Sequence, residues 1–440
     1  MKRKLILTAT LLCVTLFVPL SLFSQSRDFE MRGTTLVLYR GNAANVTIPE
    51  DVTAIGSSAF ANNTSLTSVT IPESVTSIGR SAFFMCSGLT GVTIPASVAS
   101  IDEGVFLSCS RLTNITVDTQ NNRYSSEDGV LFNKNKTTLI QYPEGKQGRN
   151  YTIPAGVTSI GNRAFNNCTG LVSITIPASV TSIRSYTFSN CTGLTGITIP
   201  ANVTSIGEGA FDNCGGLTDI AIPAGLISIG NYAFSGCSSL SAITVDTQNN
   251  WYSSAEGILF NKSKTTLIHY PAAKQERTYN IPEGVTSIGQ NAFYRCANFT
   301  SVTIPEGVTT IGNSAFIGCA SLASITIPAS VTFIGQSVFS ECTGLTSVTI
   351  PASVASIGNF AFSRCTGLTS ITIPEGITSI GNYAFSRYTG LKSVTIPASV
   401  TSIGSYAFTG CNNLKTVTVS KRTRIGANAF PDTARITYSD

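Results

Sequence analysis

A block of 23 residues recurs along nearly the whole chain, and its proline marks the beat. It falls at Pro49, Pro72 and Pro95, then at Pro154, Pro177, Pro200 and Pro223, then at Pro282, Pro305, Pro328, Pro351, Pro374 and Pro397. One copy, residues 89–111, reads LTGVTIPASVASIDEGVFLSCSR. Self-similarity at a fixed period of this length specifies a solenoid, in which each repeat is one coil stacked on the last. It overrides the two or three globular domains that 440 residues would otherwise suggest. A solenoid grows by adding coils and presents a long surface, so its usual work is binding.

Within a copy, Leu89, Val92 and Ile94 end in the alternation of a short strand with one buried face. Pro95 stops that strand, since it has no N–H for a following ladder. Val98 and Ile101 form a second inward pair, while Val105, Phe106 and Cys109 have the spacing of a turn or short helix. The recurring Ile-Gly reads as a coil corner that takes glycine for its backbone angles. Stacking turns these positions into buried files. The clearest runs through Phe60, Phe83, Phe106, Phe165, Phe188, Phe211, Phe234, Phe293, Phe316, Phe339, Phe362, Phe385, Phe408 and Phe430. Roughly sixteen coils at the usual strand separation would make a rod on the order of 75 Å long.

Two longer units of 36 residues interrupt the rhythm. Residues 118–143 read DTQNNRYSSEDGVLFNKNKTTLIQYP, and residues 246–271 read DTQNNWYSSAEGILFNKSKTTLIHYP. Their offset of 128 residues is the length of one such unit and four ordinary coils, which points to a duplicated block. GVLFNKNKTTLIQY and GILFNKSKTTLIHY read as hairpins of two apolar strands around an Asn-Lys turn. The segment FEMRGTTLVLY, residues 29–39, shares their Thr-Thr-Leu-x-x-Tyr end and is expected to cap the N-terminal side. The expected division is a signal peptide at 1–24, a hairpin cap at 25–48, the solenoid at 49–414 and a polar C-terminal cap at 415–440.

The signal peptide is read from Lys2, Arg3 and Lys4 followed by an apolar run from Leu5 to Leu20, too short to span a membrane. Cys13 is a poor lipid-attachment site, because bulky Leu12 precedes it. Removal of this segment takes three of the 28 basic residues and leaves 25 against 23 acidic ones. No concentrated basic patch is evident, which argues against a nucleic-acid partner. No second apolar run follows, so a secreted or cell-surface protein without an integral membrane segment is expected.

The run IPxxVxxIGxxAFxxCxxL and the motifs DGVLFNK and LIQYP resemble the leucine-rich repeats of the BspA type, over roughly residues 29–440. The resemblance implies a β-rich solenoid of 23-residue leucine-rich repeat coils carrying the two hairpin-containing units. It also implies a bacterial surface or secreted protein that adheres to host matrix proteins such as fibronectin and fibrinogen, or to other bacteria. The family offers no catalytic motif to carry over. No C-terminal sorting or anchoring domain is apparent, so the residues do not themselves imply stable surface attachment.

The chemistry-bearing residues agree with a non-enzymatic reading. Eleven cysteines (Cys86, Cys109, Cys168, Cys191, Cys214, Cys237, Cys296, Cys319, Cys342, Cys365 and Cys411) share one position of the coil, three residues after the recurring Phe. A file of buried free thiols is the natural reading. A disulfide framework or a metal array remains as an alternative, weakened by parallel side-chain directions, by Asn63 and Tyr388 in the same register, and by the lack of CxxC pairs. His269 is the only histidine, and Gln141 occupies its place in the duplicate unit. That exchange suggests a solvated strand face. Without a positioned base no serine triad can be assembled; paired carboxylates remain possible in principle, but the acidic residues are sparse and scattered, and no cofactor or metal is expected.

Two surface files remain. The second position after Ile-Gly is expected to face solvent and varies widely, and in it stand Tyr186, Tyr232, Phe360, Tyr383 and Tyr406. The simpler reading is that these rings shield the coil edge; the alternative is a ligand surface for a protein or glycan partner, since exposed aromatics dominate binding hot spots. A threonine file just before Ile-Pro, as at Thr47, Thr70 and Thr93, should point outward on a strand. It is read as strand preference, with glycan or ice binding as an outside alternative. The function expected is adhesion by binding host or bacterial surface proteins. The alternative is a structural or glycan-binding component of the bacterial envelope.

Overall fold

The computed structural model describes residues 28–439, so the expected signal peptide at 1–24 lies outside the described residues. The chain is a β-solenoid of about 18 turns with no helix among those residues. Each coil contributes a short strand, a second strand of two residues and a run of turns. In one coil these are Ser68–Thr70, Ser77–Ile78 and residues 79–88. The strands pair parallel with the equivalents one repeat away: Ser68 opposite Gly91, Val69 opposite Val92, Ser77 opposite Ser100 and Ile78 opposite Ile101. Pro72 ends the first strand, and its carbonyl accepts the Val75 N–H to turn the chain.

The third face is a file of turns, not the short helix the spacing allowed. Along Gly56 to Asn63 the amides alternate between two partners. Ala59, Ala61 and Asn63 donate to carbonyls three residues back, at Gly56, Ser58 and Phe60. Ser58, Phe60 and Asn62 donate to Arg80, Ala82 and Phe84 on the next coil. The amides from Ser58 to Asn63 are thereby satisfied without a helix. This geometry requires left-handed backbone twice per coil, at Ser58 and Asn62, at Ser81 and Met85, and so along the rod.

The corner glycine has a different reason from the one its sequence suggested. Gly79, Gly207, Gly230, Gly381 and Gly404 have ordinary φ, but a Cβ on them would stand 2.8, 2.5, 2.5, 2.6 and 2.5 Å from backbone of the preceding coil. Glycine is kept for close approach, not for its angles. Asp102 and Arg184 stand in the same column, so the backbone can shift locally to admit a side chain.

Leu66, Val69, Ile71, Val75, Ile78, Ala82, Phe83 and Cys86 fill one coil's interior. The phenylalanine file is broken into three runs at the hairpin units. Phe60, Phe83 and Phe106 stack with centroids 5.0 and 5.6 Å apart. A new run starts at Tyr142 on Phe165, and a third at Tyr270 on Phe293. The core divides accordingly into three blocks, roughly residues 29–131, 130–259 and 258–430.

Each hairpin unit is a three-stranded meander, Tyr124–Glu127, Val130–Asn133 and Thr138–Gln141, whose last strand pairs parallel with Ser159–Ile160. The sequence reading found the second and third strands and missed the first. Its signal was Asp128-Gly129, both at positive φ, repeated as Glu256-Gly257. Asn121 explains the recurring DTQNN. It is fully buried, donates to the Pro95 and Val98 carbonyls at 2.8 and 2.9 Å, and accepts the Arg123 and Tyr124 N–H groups at 2.8 Å. At the N-terminal side Phe29–Arg32 pairs antiparallel with Thr35–Tyr39, which continues the ladder into Ala54–Ile55.

The broken core predicts a local response to mutation. Phe339→Ala is expected to cost about 3–5 kcal/mol. Native-state hydrogen exchange should then accelerate within residues 258–430 and stay unchanged within residues 29–117. Equal acceleration throughout would show instead that the rod is one cooperative unit.

Candidate functional site

The column two residues after the corner glycine is left-handed: φ is 56° at Tyr186, 60° at Tyr232, 58° at Phe360, 57° at Tyr383 and 60° at Tyr406. Bulky side chains are uncommon there, where asparagine and glycine fit better. The structure brings three of the five candidate residues together and separates the other two. Tyr186 is occupied: its hydroxyl donates to Glu208 at 2.7 Å, the Arg163 guanidinium lies 4.7 Å over its ring, and its edge covers Gly209. The Glu208 hydrogen bond, with burial, pushes the phenol up to about 12. Tyr232 is held by Gln290 across the second hairpin unit.

Phe360, Tyr383 and Tyr406 form a surface stack with centroids 4.9 and 5.0 Å apart and ring planes within 2° and 9°. The three present half-exposed edges, because each face is covered by the next ring. They wall a groove of about 650 Å³. Arg364 and Arg387 stand in the second left-handed column on its other side. Arg364 pairs with Glu341 at 3.0 Å, whereas the Arg387 guanidinium has no partner among the described residues. The floor is a file of small hydroxyls, with Ser363 and Ser386 Oγ atoms 2.8 Å apart. The arginines and serines carry no signal in one repeat; only the coil register shows that they line the same groove as the rings.

The threonine file faces outward, as at Thr47, Thr70 and Thr93. The cysteines face inward, and all eleven are free and buried. Each thiol does more than fill space. Cys86, Cys109, Cys214 and Cys365 donate to the carbonyl of the phenylalanine one coil back, at 3.1, 3.1, 3.0 and 3.0 Å. Burial pushes their ionisation up, to about 12 at Cys86 and about 11 at Cys411. Asn63, in the same register, also donates backward but to a different carbonyl, that of Gly41, at 3.0 Å. Tyr388 does not: its buried hydroxyl lies beside the Cys365 thiol without a hydrogen bond of good geometry.

His269 and Gln141 contradict the solvated face expected for them. They are 7% and 6% exposed, because the hairpin strand crosses the end of a core block at that point. His269 packs 6.0 Å from Phe234, and burial lowers its pKa to about 4. A neutral imidazole against a phenyl ring, with no carboxylate to orient it, is a packing group. Among the described residues no three His, Cys, Asp or Glu side chains gather to hold a metal. No helix there is long and apolar enough to cross a membrane.

Stacked parallel strands, an inward leucine, isoleucine, phenylalanine and cysteine set, and a 23-residue pitch define a leucine-rich repeat solenoid. The family described as "BspA type Leucine rich repeat region (6 copies)" matches residues 37–147, 144–265, 272–357 and 334–439, and the chain belongs to it. A leucine rich cell surface protein from Faecalibacterium prausnitzii has a crystal structure similar at a TM-score of 0.52, with 33% identity over 88% of this chain and 92% of that one. A leucine-rich repeat protein from Bacteroides ovatus is 28% identical over 92% of this chain and 94% of its own, at a TM-score of 0.41. No curated protein matches the chain.

Two outcomes follow. The native chain should be inert to a thiol reagent such as DTNB, and the denatured described region should release eleven equivalents. Fast reaction of native protein would place thiols at the surface. The depressed His269 pKa means the unfolded chain binds a proton that the folded chain refuses between pH 6.5 and 4. The wild type should therefore lose about 3 kcal/mol relative to His269→Gln as pH falls through that window. Thermal unfolding at pH 7.5 and 4.5 reads this out, and parallel curves would contradict it.

Proposed function

We propose that the chain acts at the bacterial cell surface as an adhesin, binding a host or bacterial surface protein along the groove walled by Phe360, Tyr383 and Tyr406. The observation that supports this is the ring stack itself. Three bulky aromatics occupy successive left-handed positions that would be less strained as asparagine or glycine. They stand beside Arg387, which has no partner among the described residues. Aromatic and arginine side chains around a concave surface are the usual anchors of a protein interface.

The stack favours protein over sugar as the ligand of this groove. A sugar ring packs on an aromatic face, and here the faces cover one another, leaving ring edges, two phenol hydroxyls and a guanidinium. Those groups suit backbone carbonyls and carboxylates. A rigid rod adds a second effect. Weak contacts repeated along a surface combine through effective concentration when partners are displayed in many copies.

The test is binding of the chain to immobilised fibronectin and fibrinogen by surface plasmon resonance. Phe360→Asn, Tyr383→Asn, Tyr406→Asn combined should weaken binding by about tenfold or more. Its thermal midpoint should hold, because Asn291 and Asn428 already occupy this column at positive φ. Arg387→Ala should weaken it in the same direction. Undiminished binding by the triple variant would move the site elsewhere. Absence of saturable binding by the wild type would favour the envelope-component reading.

A further inference from the structure

The exit loop of the first hairpin unit, residues 143–149, is fastened to the coil beneath it. Gly145 N–H donates to the Leu112 carbonyl at 2.8 Å, Lys146 N–H to Pro143 at 3.2 Å, and Gln147 Nε2 to Gly145 at 3.2 Å. A Cβ on Gly145 would stand 2.7 Å from the Arg111 carbonyl carbon, so the glycine lets the loop lie directly on the turn. This seating places Lys146 and Arg149 with Arg111 around a groove of about 680 Å³. None of the three side chains has an ion pair or hydrogen bond among the described residues. Lys146 and Arg149 are close in sequence, and the stacking of the coils brings Arg111 to them from 35 residues earlier.

The rest of the lining defines what the groove would accept. It consists of threonine and serine hydroxyls, glycines, a glutamine and Glu144, with no aliphatic or aromatic side chain. Thr90 and Thr113 donate their hydroxyl protons to carbonyls one coil back, at 3.2 and 3.0 Å, and keep lone pairs for a ligand. Glu144 offsets part of this charge at neutral pH and less of it below. Its carboxyl accepts the Ser108 N–H, and burial raises its pKa to about 7. A peptide would find no pocket for an apolar anchor, and a nucleic acid no ring on which to stack a base.

The duplicated block shows the same fold with less open charge. At the positions 128 residues further on stand Ser239, Lys274 and Arg277, and Glu276 replaces Gly148. Lys274 there is consumed by the Glu256 carbonyl at 2.8 Å and the Glu276 carboxylate at 3.3 Å. The first copy carries three open cations, whereas the second keeps one, Arg277, beside a paired Lys274.

The geometry points to the Arg111–Lys146–Arg149 groove as a binding site for a sulfated glycan chain, separate from the aromatic groove. Guanidinium forks pair with sulfate oxygens in two parallel hydrogen bonds, the lysine serves as a point charge, and the hydroxyl file meets the sugar hydroxyls. Sulfate keeps its charge at every physiological pH, so binding would survive acidification.

The probe is a size-defined heparin fragment, measured against the full chain by calorimetry, beside the same fragment desulfated and a DNA duplex of similar length. The heparin fragment should bind with an affinity that falls as salt rises, and the desulfated one about tenfold or more weaker. Arg111→Ser, Lys146→Ala, Arg149→Ala combined should lose about tenfold or more at an unchanged thermal midpoint. Lys274→Ala with Arg277→Ala, and separately Arg387→Ala, should stay within about twofold of wild type. Equal losses in those controls, equal binding of the desulfated fragment, or DNA binding as tight as heparin would each overturn the assignment. None of these results bears on protein binding at the aromatic groove.

Discussion

Coil-to-coil backbone hydrogen bonding in a 23-residue register is the constraint on which the rest of this structure depends. Two faces use parallel strand pairs, and the third uses alternate amides of a turn run that reach the next coil. No face can relax its spacing alone, because all three share the same pitch. The pitch then sets the side chains. Rings stack at 4.8 to 5.8 Å along the interior because the backbones hold them there. The corner lacks a Cβ because a neighbouring coil occupies its space. The left-handed residues are likewise a cost of the third face, accepted twice per coil so that buried amides find partners.

How much of this could be read from the residues follows from whether a feature repeats. Phenylalanine, cysteine, proline and the inward aliphatic positions repeat at one period, so the solenoid and its buried files were legible. A repeat does not state why a residue recurs. The corner glycine was assigned to backbone angles when its actual reason is a neighbour one coil away. The cysteine was read as a small hydrophobe, and it is also a donor to the carbonyl of the phenylalanine beneath it. Features used once or twice were harder. Gln141 and His269 looked solvated because they differ from each other, yet both plug the end of a core block. Asp128-Gly129, both at positive φ, is a two-residue hairpin turn flanked on its N-terminal side by a polar strand, Tyr124–Glu127, with no apolar alternation to mark it.

The hairpin units matter because they end one core block and begin another. Where the phenylalanine stack stops, polar contacts cross the break. Glu103 takes Arg163 from beyond the first unit at 3.0 Å, Asn167 reaches Ser108 at 3.3 Å, and Gln290 reaches Tyr232 past the second unit. These contacts stand where the ring stack is interrupted, beside the backbone bonds that carry the ladder through the unit. The units also admit sequence change that the coils do not. Both units carry a lysine and an arginine in the exit loop, but the first adds Arg111 from the coil beneath, while the second has Ser239 there and Glu276 paired to its lysine.

This division of labour explains where a repeat protein can acquire specificity. Inward positions answer to two neighbouring coils at once, so a change in one is felt by three layers of packing. The left-handed columns answer mainly to backbone, and their occupants range over serine, arginine, asparagine, glycine, tyrosine and phenylalanine. A substitution there costs little packing and is immediately aligned with its equivalents on the coils above and below. Three independent changes to aromatic residues therefore yield a continuous ring stack with no change of fold. A file of arginines four residues further on becomes the facing wall by the same rule. The surface chemistry of such a rod is set by which residues these permissive columns collect, and the buried register decides only that they will be collinear.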